Sequence, residues 1–200
     1  MFDDNFAIYG GTFDPVHLGH LIVAEEALAA FNLEYVSFLP VFSPPHKSDR
    51  SGNVEDRLRM LELAISNNPK FRVDKREIYA GKACYTLDTV NQILKEKNID
   101  RLAMIIGGDS FRDFESWHEW QELLKKTRLL VCSRLGVDDD IRTREKKYRS
   151  MGGEISFFGR FHTDISSSGI REAIGNQETL KYIIPDQVIE YIKSRGLYFD

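Results

Sequence analysis

The chain has 200 residues, enough for one α/β domain with a substantial core. Apolar residues make up 42% and charged residues 29%, the balance of an ordinary folded chain rather than a disordered one. The net charge of −4 lacks the basic excess of a protein that grips duplex nucleic acid non-specifically, so any polyanion site must be a local cluster on an acidic background.

Residues 6–9 (Phe-Ala-Ile-Tyr) form a short apolar run stopped by Gly10-Gly11, which reads as a buried strand entering a tight turn. Residues 18–31 follow with Leu21, Ile22, Ala24, Leu28 and Phe31 at helical spacing, and residues 36–41 read as a second strand broken by Pro40. Residues 57–65 are expected helical, with Leu58, Leu61, Leu63 and Ile65 apolar. Residues 71–73 read as a short strand, with Ile78-Tyr79 as a further extended piece beyond it. Residues 86–97 form a helix with Leu87, Val90, Ile93 and Leu94 on one side, and residues 102–106 the most hydrophobic strand, ending in Gly107-Gly108-Asp109. A helix at 120–126 and strands at 129–132 and 155–158 come next, then helices at 169–174 and 186–194. Residues 135–151, with three successive aspartates and many basic residues, read as a solvated helix or loop, and the last helix is expected to pack on the sheet.

Strands alternating with helices imply βαβ units, hence an α/β fold: a Rossmann-like doubly wound parallel sheet with a small helical C-terminal portion. Residues 1–200 are expected to form a single domain. Ligands bind outside the carboxyl ends of such strands, which directs attention to residues 10–20, 107–109 and Ser133-Arg134. The two cysteines, Cys84 and Cys132, have no metal-ligand spacing, which argues against a disulfide framework or a zinc site and fits a reducing compartment. No apolar run approaches the ~20 residues that span a bilayer, and the opening Met1-Phe2-Asp3-Asp4 is acidic where a signal peptide is basic. The expected location is the cytoplasm, with neither membrane nor nucleic acid as partner.

Four segments carry chemistry. In residues 10–20, Gly10 and Gly11 let the backbone turn and approach a ligand closely. The helix that follows offers free N–H groups and a positive N-terminal end, and His17 and His20 share one face of its first turn with Gly19 keeping bulk away. The loop lacks the Gly-Lys-Ser/Thr ending of a Walker loop and the GxGxxG of a dinucleotide site. Pro44-Pro45-His46-Lys47 is a stiff loop that could bring the Lys47 charge to phosphates, although by itself Lys47 reads first as a solvated lysine. In residues 165–171 (Ile-Ser-Ser-Ser-Gly-Ile-Arg) the serines suit helix capping. Arg171, placed where the helix dipole disfavours a cation, makes sense beside a docked anion, with Ser167 and Ser168 donating to the same phosphates. Tyr85-Thr86-Leu87-Asp88 opens a helix whose amides could hold a carboxylate, and Trp117 offers a plane for a heteroaromatic ring, though a packing role suits it as well.

In this order over nearly the whole chain, these segments resemble the bacterial nicotinate-nucleotide adenylyltransferases of the nucleotidyltransferase superfamily marked by H-x-G-H. Ser168 stands where many relatives carry threonine, which keeps the hydroxyl. The resemblance implies transfer of AMP from ATP to nicotinate mononucleotide with Mg²⁺, giving nicotinate adenine dinucleotide and pyrophosphate in NAD synthesis. It implies that His17, His20, Lys47 and Arg171 hold the ATP phosphates, in a site shared with Gly10, Gly11, Thr12, Phe13, Ser167 and Ser168. Gly107, Asp109 and Arg134 would line the nucleotide sites, and Thr86 and Trp117 would receive the nicotinate ring. No metal-ligating residue is expected, and a homodimer is allowed. Two alternatives stand beside this: a phosphopantetheine adenylyltransferase, whose members are usually shorter and lack the Pro-Pro-His-Lys loop, and a catalytically silent nucleotide sensor.

Overall fold

The computed structural model describes residues 2–42, 53–133, 138–161 and 163–199. Pro44, Pro45, His46 and Lys47, and likewise Arg134, lie outside the described residues. The elements run β1 (Phe2–Gly11), α1 (Leu18–Phe31), β2 (Tyr35–Pro40), α2 (Val54–Ile65), β3 (Phe71–Val73), α3 (Arg76–Ala80), α4 (Thr86–Lys97) and β4 (Arg101–Gly107). They continue with α5 (Gly108–Arg112), α6 (Trp120–Lys126), β5 (Thr127–Cys132), α7 (Asp139–Ser150), β6 (Glu154–Phe158), α8 (Ser167–Gly175) and α9 (Asp186–Arg195).

The strands are parallel and ordered β3-β2-β1-β4-β5-β6. The chain winds outward from β1 to β3, returns to β4 beside β1, then winds outward the other way. Strand order reverses between β1 and β4, and a crevice opens there at the carboxyl ends.

Successive strand residues point to opposite faces, and both faces are covered. Phe6 and Ile8 of β1, Leu102, Met104 and Ile106 of β4, and Leu129 and Val131 of β5 enter one core with Val90 of α4 and Leu123 of α6. The residues between them, Ala7, Ala103, Ile105 and Leu130, enter the other with Ala24 of α1, Leu61 of α2, Ile170 of α8 and Ile192 of α9. Burial on both sides is why these strands read as continuous apolar runs.

Ile78-Tyr79, expected extended, lies in α3. The Asp74 carboxylate accepts the Arg76 backbone N–H at 3.0 Å and its Nε at 2.8 Å, which starts a turn, and Gly81 closes it with φ 66°. Residues 139–150 form a helix capped by Asp138, which accepts the Ile141 N–H at 2.9 Å. That helix is not solvated all round, because Ile141 and Tyr148 are fully buried. The helix α9 reaches the core and also docks on α2, where Tyr191 Oη donates to Asp56 Oδ1 at 2.7 Å. Among the described residues no helix is long and apolar enough to cross a membrane.

Candidate functional site

Between β1 and α1 the chain folds tightly over its own aromatic floor. A Cβ on Gly11 would lie 2.9 Å from Cζ of Phe13, so glycine is what lets that ring fold back. Phe13 takes a left-handed backbone (φ 51°), and its buried ring meets Tyr9, Phe38 and His20 at centroid separations of 5.8, 5.6 and 5.1 Å. Phe13, expected in the ATP site, commits its ring to the core and leaves only its backbone for a ligand.

His17 caps α1 in extended backbone (φ −144°) and is buried, while His20 occupies the third helical position. Their rings lie 3.7 Å apart at 32°. The His17 backbone N–H donates to Nδ1 of His20 at 3.3 Å. A neutral imidazole that accepts at Nδ1 carries its proton at Nε2, so the His20 ring is a donor at Nε2. Gly19 makes room for the pair: a Cβ there would sit 2.9 Å from Nδ1 of His17 and 2.9 Å from Oγ1 of Thr163.

Both imidazoles line a cleft of about 280 Å³ shared with Gly107, Asp109, Thr163 and Ser167. It sits where strand order reverses, as a doubly wound sheet requires. The Asp109 side chain is 90% exposed and pairs with Arg112 Nη1 at 3.1 Å. Arg112 pairs in turn with Asp138, the cap of α7.

The serine-rich segment divides its work. Ser166 caps α8, its Oγ accepting the Gly169 N–H at 3.1 Å. Ser167 Oγ donates to the Pro15 carbonyl at 3.0 Å, and Arg171 Nη1 donates to the Asp14 carbonyl at 2.6 Å. Ser168 is exposed, its Oγ 3.2 Å from that of Ser166. These bonds tie the first two turns of α8 to the β1–α1 loop, so two helix N-termini meet at one cleft.

Thr86 and Trp117 are not among the residues lining that cleft. They approach each other through their neighbours: the Tyr85 ring stacks on His118 at 4.0 Å and 24°, while Trp117 is partly buried against Phe114 at 5.4 Å. Gly10 has nothing within 4 Å of its would-be Cβ, and neither has Gly107.

Beneath the loop lie residues to which the sequence assigned no role in the site. Arg57, 1% exposed, donates to the carbonyls of Thr12, Val41 and Phe42 at 2.7, 2.8 and 2.9 Å. Burial pulls its guanidinium below the ordinary value while the nearby Asp14 carboxylate pushes back. Asp14, 2% exposed, accepts from Tyr198 Oη at 2.6 Å. Arg57 had a signal, since it shares the spacing of Met60, Leu61 and Ile65 on the buried face of α2. Tyr198 and Thr163 had none.

Paired imidazoles and two helix N-termini at the switch point of a doubly wound sheet define a nucleotide-handling α/β protein. Comparisons narrow the class. The cytidylyltransferase-like family model matches residues 8–173. A protein of Yersinia enterocolitica named "Probable nicotinate-nucleotide adenylyltransferase" is 36% identical over 96% of this chain and 94% of its own. One of Geobacillus thermodenitrificans with the same name is 38% identical over 96% and 84%. The solved structure of Plasmodium falciparum nicotinic acid mononucleotide adenylyltransferase complexed with NaAD has the same fold, with TM-score 0.80 at 20% identity over 97% of each chain. The chain belongs to the cytidylyltransferase-like family and, within it, to the nicotinate-nucleotide adenylyltransferases.

Proposed function

We propose that this chain, acting as a single nucleotidyltransferase domain in the cytoplasm, joins nicotinate mononucleotide to the AMP moiety of ATP. The products are nicotinate adenine dinucleotide and pyrophosphate, a step of NAD biosynthesis. The observation that carries the reading is the His17–His20 pair at the α1 N-terminus, in a cleft that also receives the N-terminal turn of α8.

In this reaction a phosphate oxygen of the mononucleotide attacks the α-phosphorus of ATP. The bond from that phosphorus to the bridging oxygen breaks, and its electron pair leaves with pyrophosphate. The nucleophile is already anionic, so no general base is required. What the site must supply is in-line placement and stabilisation of charge on the α-phosphate and leaving group. His20, a donor at Nε2, and His17 supply it from α1. Ser167 lines the α8 end of the cleft, and Arg171 behind it gives one guanidinium nitrogen to the Asp14 carbonyl and has further N–H groups to offer a phosphate. Lys47, Ser168, Gly10, Gly11 and Thr12 complete the ATP side of the proposal, and Gly107, Asp109 and Arg134 the nucleotide side. Among the described residues no three His, Cys, Asp or Glu side chains gather where an ion could sit. Mg²⁺ belongs in this proposal with the ATP phosphates, as part of the substrate.

The pyridine end falls to Thr86 and Trp117. Tyr85 caps α4 without a side-chain bond, and with the Asp88 N–H bonded to the Tyr85 carbonyl the Thr86 and Leu87 amides are the ones offered to an anionic substituent. A carboxylate suits that positive end better than a carboxamide does. Pyrophosphate release measured with ATP and a panel of nicotinate mononucleotide, its amide counterpart and phosphopantetheine tests both parts. The expected order of kcat/KM is acid, then amide, with phosphopantetheine inactive. Equal values for acid and amide would remove the α4 argument, and release with none of the three would remove adenylyl transfer.

A further inference from the structure

Three buried side chains that do not line the cleft meet beneath the loop that carries His17 and leads into α1 with His20. Arg57 reaches two backbones at once: Nη1 holds the Thr12 carbonyl, in the β1–α1 loop, and Nη2 holds those of Val41 and Phe42. Val41 and Phe42 are the last described residues before the segment that bears Lys47. Asp14 opposes the charge of Arg57 from within the loop and is itself held by Tyr198, 184 positions away in the chain. Arg171 adds a bond to the Asp14 carbonyl, so the same residue is gripped at its side chain and its backbone.

Burying a guanidinium costs several kcal/mol unless hydrogen bonds and a counter-charge offset it. Packing alone does not ask for one at this position, because Met60 and Leu61 fill the neighbouring places on the same helix face with apolar groups. What an arginine offers here is a rigid fork whose two arms fix the separation of the chains they hold. The carboxylate of Asp14 beside a triphosphate site would repel the ligand if its charge were not met from behind. Tyr198 meets it with a hydroxyl that burial and the Asp14 charge keep protonated, well above the usual phenol value.

We propose that Arg57, Asp14 and Tyr198 are positioning residues for adenylyl transfer, which fix the β1–α1 loop that carries His17 against the backbone of Val41 and Phe42 without touching either substrate. The proposal rests on the adenylyl-transfer reading for what is being positioned.

Tyr198→Phe removes one hydroxyl and leaves the ring that fills the core. At 25 °C kcat should fall about tenfold, with KM for both substrates changed by less than about threefold. The His17 and His20 imidazole signals, resolvable by NMR in a chain with five histidines, should move. Arg57→Lys keeps the charge but loses the fork and should lower kcat further; if it does not fold, Tyr198→Phe decides alone. A purely structural role would lower the melting temperature and leave kcat and the imidazole signals in place, and that result overturns the proposal. Should the unaltered protein release no pyrophosphate, the functional reading fails, while the imidazole signals of Tyr198→Phe still decide whether the network positions them.

Discussion

Replacing Gly19 by alanine adds one methyl group at a point where the structure has no room for it. That Cβ would lie 2.9 Å from Nδ1 and 3.0 Å from Cε1 of His17, and 2.9 Å from Oγ1 of Thr163. Ordinary contact begins near 3.5 Å, so the overlap is about 0.6 Å on two sides. Either the His17 ring leaves its stack on His20 or the Thr163 segment backs away. Gly19 lies in α1, where alanine is favoured over glycine by up to about 1 kcal/mol. A ring pushed some 30° off its rotamer costs about 0.5–1.5 kcal/mol. The two nearly cancel, and since 1 kcal/mol moves Tm by about 2–4 °C in a chain of this length, Tm should change by only a few degrees.

Catalysis has no such cancellation. Displacing a donor by ~1 Å from the charge it stabilises can cost about a hundredfold. Gly19→Ala should therefore keep its fold by circular dichroism, melt within a few degrees of the unaltered protein, and lose about a hundredfold in kcat for pyrophosphate release. Unchanged kcat would refute the claim that the imidazole stack needs the space over Gly19. A fall in Tm of more than about 10 °C would refute the energetic balance behind it.

His20→Ala should lower kcat a hundredfold or more, the about 2.7–4 kcal/mol expected for a lost donor to transition-state charge, while the melting curve stays near that of the unaltered protein; normal turnover would exclude His20 from the chemistry. Glu77 tests the fold independently of activity. Its carboxylate is 7% exposed and accepts from Thr89 Oγ1 at 2.7 Å, and burial raises it above the ordinary 4.5 although the Thr89 bond acts the other way. A carboxyl raised in the folded state holds its proton more tightly there than in the unfolded chain. Its contribution is thus full below pH 4.5 and is lost as pH climbs through the folded value. Glu77→Gln, which keeps an acceptor for Thr89, should raise Tm at pH 8 and lose that gain at pH 4; a lower Tm at pH 8 would mean the charge is stabilising.

The features readable from sequence are those whose cause lies within a turn or two of chain. Leu102 to Ile106 announced a strand buried on both faces, and its alternate residues do divide between two cores. Ile78-Tyr79 misled because β-branched and aromatic residues favour strands, whereas a carboxylate four residues before Ile78 had already started a helical turn. At the site, residue types pointed to the chemistry but not to who holds whom. Ser167 and Arg171, read as phosphate donors, each commit a donor to the β1–α1 backbone. For Arg171 this is no contradiction, because a guanidinium has five N–H groups and one bond to Asp14 does not exhaust them. A serine has a single hydroxyl proton, so Ser167 can donate to a ligand only by releasing Pro15. If triphosphate binding draws on that hydroxyl, it must loosen the tie between α8 and the loop, and Arg171 is then what keeps the two helix ends together while the cleft is filled.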